Sequence, residues 1–250
     1  MSRNFELLHE AGKVQELLRE RLADATPSPA IFVPGNPSLQ IEGMAREEVT
    51  KLVQRLFLTP GSQAPRQVVF AGIEAGNGCS WICAHVADIL ASQVAGSVCV
   101  VDCDVHIPTL HAEFQVPNHC GLADALLGDE PIHQFAQQLS RPNLWLLSCG
   151  STTENSQQLL TLERMRQRLL ELRAEFDYVL LDVAPLSSSN QGIMLGSWCD
   201  GVALVLKANS SSRKAARKAL AELQAARVPV LGAVLNQRTF PIPDSIYNWL

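Results

Sequence analysis

At 250 residues the chain is long enough for one substantial α/β domain with an accessory segment. Its 47% hydrophobic and 18% charged residues fit a packed soluble protein and argue against disorder. A net charge of −5 argues against nucleic acid as a partner.

The elements read in order as follows. Phe5, Leu8, Val14, Leu17, Leu18 and Leu22 recur at helical spacing among charged residues, predicting an amphipathic helix over Phe5–Leu22. Thr26-Pro27-Ser28-Pro29 ends it, and Pro34, Gly35 and Pro37 keep the next stretch extended. Residues 1–41 are therefore expected to form an arm, and residues 42–250 the main domain. A helix is predicted over Glu42–Leu58, stopped by Pro60-Gly61. Six short apolar segments then read as strands: Gln67–Gly72, Ser97–Asp102, Asn143–Ser148, Asp177–Asp182, Val202–Lys207 and Val230–Leu235. Helical stretches at Ser80–Gln93, Leu122–Leu127, Ser156–Glu175 and Arg213–Ala226 separate most of them. This alternation predicts an α/β fold, a doubly wound, mainly parallel sheet with helices on both faces. The longest apolar runs, such as Val98–Val101, are too short to span a bilayer, and no secretory leader opens the chain, so a cytoplasmic location is expected.

Seven cysteines, an odd number, are scattered along the chain with several inside apolar runs, and they read as small buried hydrophobes and not as a disulfide framework. Cys79 and Cys83 lie one helical turn apart, but no His/Cys cluster accompanies them.

Ligands of such a sheet bind beyond the carboxyl ends of its strands. Three features fall there. Gly76-Asn77-Gly78-Cys79-Ser80 follows a strand and opens a helix, where backbone N–H groups and the helix dipole favour a phosphate. A working loop reads GxxxxGK followed by Ser or Thr; here Gly78 and Ser80 fit, whereas Cys79 takes the lysine position and Ile73 that of the first glycine. The loop alone also fits an ordinary glycine turn. Val100-Val101-Asp102-Cys103-Asp104 ends a strand in two acids on one side, suited to Mg²⁺ or to proton abstraction from a hydroxyl. The plain alternative is a solvated strand end with Asp104 capping a turn. Leu180-Leu181-Asp182 ends a third strand in the manner of a Walker B acid.

Taken in series, Gly76–Ser80, Val100–His111, Gly121–Gly128, Phe176–Pro185, Asp200–Ala208 and Val230–Arg238 resemble the cytoplasmic P-loop domain of bacterial tyrosine kinases of capsular and exopolysaccharide biosynthesis, relatives of the MinD/ParA ATPases. The resemblance covers residues from about 42 to 238. It implies ATP or ADP with Mg²⁺ as ligands, held by Gly76, Asn77, Gly78, Cys79 and Ser80, with Asn236 and Arg238 in the segment that contacts adenine. It also implies Asp102 and Asp104 as the catalytic and Mg²⁺ acids, Asp182 as the Walker B acid and Ser80 as the Mg²⁺ hydroxyl, so that Ser80, Asp102 and Asp182 form the metal set. A membrane polysaccharide co-polymerase, a kinase partner or a second copy of the chain are the implied partners, with recruitment to the inner face of the membrane through such a partner.

The departures shape the expected function. Besides Cys79, Glu74 stands where MinD-type proteins carry their signature lysine, and His106 where the kinases carry arginine. Of the kinases' E-x-x-R-x-x-R oligomerisation motif, Glu48, Lys51 and Gln54 keep only the first residue. Tyr178 and Tyr247 are the two tyrosines of this sequence, so the kinases' tyrosine-rich tail is not expected here. A neutral thiol in place of the lysine removes a charge-assisted contact to the phosphates. The expectation is a degenerate kinase-like regulator or scaffold with weak or no ATP turnover. Two alternatives stand beside it: an active ATP-dependent autokinase or ATPase, and a MinD/ParA-like positioning ATPase. Cys79, at a helix N-terminus, also has the setting of a reactive thiolate, although no His partner is recognisable.

Overall fold

The structure is a computed structural model that describes residues 39, 41, 43–59, 64–150 and 162–237. All of them belong to the unit Phe32–Leu250. The helix expected over Phe5–Leu22, most of the 1–41 arm, and the candidate residues Arg238 and Tyr247 lie outside the described residues.

The first described helix, α1 (Gly43–Phe57), turns Val49, Val53, Leu56 and Phe57 inward at three- and four-residue spacing. Strands and helices then alternate: β1 (Gln67–Gly72), α2 (Cys79–Gln93), β2 (Val98–Asp102), α3 (Leu110–Glu113) and α4 (Leu122–Leu127). They are followed by β3 (Gln137–Gln138), β4 (Leu144–Leu147), α5 (Leu162–Glu175) and β5 (Tyr178–Val183). The last are α6 (Gln191–Gly196), β6 (Gly201–Lys207), α7 (Arg213–Ala225) and β7 (Val230–Asn236). Among the described residues these strands form one sheet in the order β3-β4-β2-β5-β1-β6-β7. Every pair is parallel except β3 with β4.

Because side chains alternate across a strand, each strand feeds two cores. Val68 and Phe70 of β1, with Val98 and Val100 of β2, pack beneath α1, α2 and α3. Val69 and Ala71, with Cys99 and Val101, pack on the opposite face against α4, α5, α6 and α7. Both faces are therefore covered, which is why the inner strands read as unbroken apolar runs. Helix α2 is buried continuously from Ile82 to Ala91, so it shows no polar face. Its one acid there, Asp88, is neutralised by Arg141 at 2.6 Å.

Three elements do not follow from the sequence pattern. Helices α3 and α6 have four and six residues, too few to display a helical period. Strand β3 is two glutamines held antiparallel to Trp145 and Leu146, with no apolar signal of its own. The helix expected from Ser156 is described from Leu162 onward, residues 151–161 lying outside the description.

On the second face, the guanidinium of Arg168 in α5 is buried and donates to the carbonyls of Ala125, Gly128 and Glu130 and to the Glu171 carboxylate. It supplies donors to carbonyls at the end of α4 that no further helical turn could satisfy.

Candidate functional site

The parallel strands bring their carboxyl ends to one edge, and β1 sits at the switch point between the β5-β2 and β6-β7 sides. Asp102 at the end of β2 is in register with Asp182 of β5, and the N–H of Cys103 donates to the Asp182 carbonyl at 2.8 Å. The loop leaving β1 lies beside them: Leu186 N–H donates to Gly72 O at 2.9 Å and Ser187 N–H to Ile73 O at 3.1 Å. Residues 72–80, 102–104 and 182 thus meet, as the strand-ending acids and the glycine turn predict.

The loop is shaped by two glycines in the left-handed region, Gly76 with φ +76° and Gly78 with φ +74°. Gly78 stands at the N-terminus of α2 and offers no side chain to cap it, so the first N–H groups of the helix point at the site unclaimed by a cap. Asn77 fixes the loop from below. It is buried, and its Nδ2 donates to the Val205 carbonyl of β6 at 3.0 Å. Asn236, at the end of β7, donates from Nδ2 to the Asn77 carbonyl at 2.9 Å. A Cβ built on Gly78 would stand 2.4 Å from that same Nδ2, so only glycine lets Asn236 lie against the loop.

The three acids have different surroundings. Asp102 is buried, with Oδ1 accepting from Asp104 N–H at 3.2 Å and Oδ2 from Thr109 and Leu110 N–H at 3.0 Å each. Burial pushes its carboxyl up to about 6, against the pull of those backbone donors. Asp104 is half-buried and closes a turn by accepting from His106 and Ile107 N–H at 3.0 and 3.1 Å. This is the turn-capping role that the sequence left open beside the catalytic one. Asp182 is the most enclosed: burial raises it to about 7, hydrogen bonding from the Ser80 hydroxyl opposing and the Asp102 charge adding. Its Oδ1 has no hydrogen-bond partner among the described residues. A buried, orphaned carboxylate oxygen beside a hydroxyl is an all-oxygen donor set, which fits Mg²⁺.

Cys79 is not the tuned thiolate that its helix position suggests. Its residue is partly exposed, yet burial of the thiol and the neighbouring Asp182 carboxyl push it well above the usual thiol range. The local field is negative, which outweighs the helix dipole. Cys83, Cys99, Cys103 and Cys149 are buried, as expected of small hydrophobes, while Cys120 is exposed. Among the described residues no group of three or more His, Cys, Asp or Glu side chains is placed to hold a metal ion, so an ion here would rest on Ser80 and one or two carboxylates.

Contacts beyond the motifs also build the site. Gln191 of α6 donates to the Cys103 carbonyl at 2.8 Å, and Val205 offers its carbonyl to both Asn77 and Ile73 N–H. No sequence signal marks them, because each depends on register between strands far apart in the chain.

A parallel sheet with a glycine-cradled helix N-terminus between two strand-ending acids defines a P-loop NTPase-type domain. Residues 66–227 match the family model for the cellulose biosynthesis protein BcsQ, and the chain belongs to that family. It is 30% identical over 161 residues to the tyrosine-protein kinase YwqD of Bacillus subtilis, covering 64% of this chain and 68% of that one. It is 29% identical over 204 residues to the putative tyrosine-protein kinase EpsB of Ralstonia nicotianae, covering 82% of this chain but 26% of that much longer relative. The kinase domain of Escherichia coli tyrosine kinase ETK shares the fold with a TM-score of 0.70 at 22% identity, over 80% of this chain and 79% of that chain. Solved MinD and ParA-family ATPases share it as well. No helix of the described residues is long and apolar enough to cross a membrane.

Proposed function

We propose that this chain is a degenerate tyrosine-kinase-like P-loop protein that regulates or scaffolds exopolysaccharide or capsule assembly, with little or no ATP turnover. The observation that carries this reading is a phosphate site rich in carboxylates and lacking its lysine. Neutral Cys79 takes the lysine position, and no lysine or arginine among the described residues pairs with Asp102, Asp104 or Asp182. Phosphoryl transfer rests on positioning and on neutralising charge at the γ-phosphate. The backbone cradle of Gly76–Ser80 survives, so it would hold the phosphates of ATP or ADP weakly, with Asn236 against the loop. Ser80 and Asp182 would hold Mg²⁺, with Asp102 beside them; when bound, the ion supplies charge neutralisation between the phosphates. Asp102, anchored on three backbone donors, would orient the pair, and Asp104 stands at the rim.

A membrane polysaccharide co-polymerase, a kinase subunit or a second copy is the proposed partner, reached through the outer side of α1. That side carries Glu48, ion-paired with Lys51 at 2.7 Å, and Met44, which is 48% exposed. Recruitment to the inner membrane face would follow from such a partner. Turnover decides between this reading and an active autokinase. Phosphate release and self-phosphorylation by the purified chain with MgATP should stay at background, and steady turnover would replace the scaffold with an enzyme.

A further inference from the structure

A site that keeps an anion cradle while losing its lysine invites a search for a cation reaching it from elsewhere. Lys207 ends β6. Alternation puts it on the same face as Val205 and Ala203, which pack toward α2, whereas Leu204 and Leu206 pack on the other face. Register puts it past the end of β1: Gly72 pairs with Val205, so Lys207 lies two residues beyond, alongside the loop that starts at Ile73. Its partner on β7 is Asn236, the residue whose amide touches Asn77 and lies against Gly78. The backbone of Lys207 therefore lies one strand spacing, about 4.8 Å, from that of Asn236, whose side chain contacts the phosphate loop. Its backbone is pinned: its N–H donates to Ser211 Oγ at 3.0 Å, and the following residue, Ala208, donates to Asn236 O at 2.9 Å. The residue is half-buried and forms no ion pair among the described residues. A half-buried ammonium on a flexible four-carbon stem, with no anion assigned to it, is a donor in want of an acceptor.

We propose that Lys207 supplies, from the end of β6, the positive charge that Cys79 does not, contacting the phosphate chain of a nucleotide cradled by Gly76–Ser80. This rests on the nucleotide reading above. The contact comes from the Asn236 side of the loop and not from within it, so it would aid binding while leaving the acids Asp102, Asp104 and Asp182 without a fixed cation for transfer. Binding without turnover is the result.

The test is titration of the full chain with MgATP and with adenosine, for wild type, Lys207→Met, Lys207→Arg and Cys79→Lys, each first shown to melt at the wild-type temperature. Methionine keeps the packing of the stem and removes the charge. Lys207→Met is expected to weaken ATP binding about tenfold, the equivalent of about 1.4 kcal/mol, and to leave adenosine unchanged. Lys207→Arg should restore ATP binding. If wild type binds ATP and Lys207→Met binds it equally, the inference is wrong and the nucleotide reading stands. If wild type fails to bind while Cys79→Lys binds, Lys207 does not substitute and the inference is again wrong. If neither binds, the nucleotide reading itself falls, and the inference with it.

Discussion

Replacing Asp182 by asparagine should stabilise the metal-free protein, increasingly so as pH rises. Burial holds the Asp182 carboxyl at about 7, against 3.8 for the free side chain. Between those values the unfolded chain releases its proton while the folded chain keeps it, so each pH unit costs the folded state about 1.4 kcal/mol. The stability associated with the protonated group is full below 3.8 and is lost as pH climbs through 7. The total cost comes to roughly 4 kcal/mol at pH 8 and about 2 kcal/mol at pH 5. Asparagine has nearly the same shape and cannot ionise, so Asp182→Asn should exceed wild type by those amounts. Asp102, raised to about 6 by burial, steepens the decline of both proteins between 3.8 and about 6. Urea unfolding in EDTA at pH 5 and pH 8 measures the two gaps. A gap that stays constant between them, or a variant weaker than wild type at pH 8, would refute a desolvated carboxyl at this position.

Two further changes test the frame around the site. Arg168→Ala should cost about 3 kcal/mol, since it removes a buried donor from the Ala125 carbonyl and part-buried donors from Glu130 and Gly128, the last keeping a contact from Arg164, and a loss under 1 kcal/mol by the same unfolding assay would contradict that role. Gly78→Ala should cost roughly 1–2 kcal/mol from its φ of +74° and push Asn236 off the loop, visible as a large amide shift for Asn77 and Asn236 in NMR spectra; unshifted amides would place Asn236 elsewhere.

Much of the fold could be read in the residues because burial on both faces turns parallel strands into plain apolar runs. The acids closing the apolar runs of β2 and β5 were legible for the same reason: a carboxylate after such a run marks the carboxyl edge of the sheet, although both prove to be buried there. The sequence hid whatever depends on register or on very short elements. Asn236 meets Asn77 across 159 positions, and no local pattern announces it. Two of the three backbone donors that anchor Asp102 come from the start of α3, a four-residue helix with no period to detect. Cys79 shows the limit of a local rule. A helix N-terminus favours a lowered thiol pKa, but burial pushes the thiol up, and the charge of Asp182, which only the folded sheet brings alongside from β5, adds to it.

On the proposed reading, this chain differs from the tyrosine kinases it resembles by loss of the loop's charge and not by loss of the site. Calorimetric titration of MgATP into wild type and Cys79→Lys separates the two. Wild type should bind weakly, and the new lysine should add about tenfold in affinity for each 1.4 kcal/mol recovered. Micromolar binding by wild type, with no gain from Cys79→Lys, would contradict it.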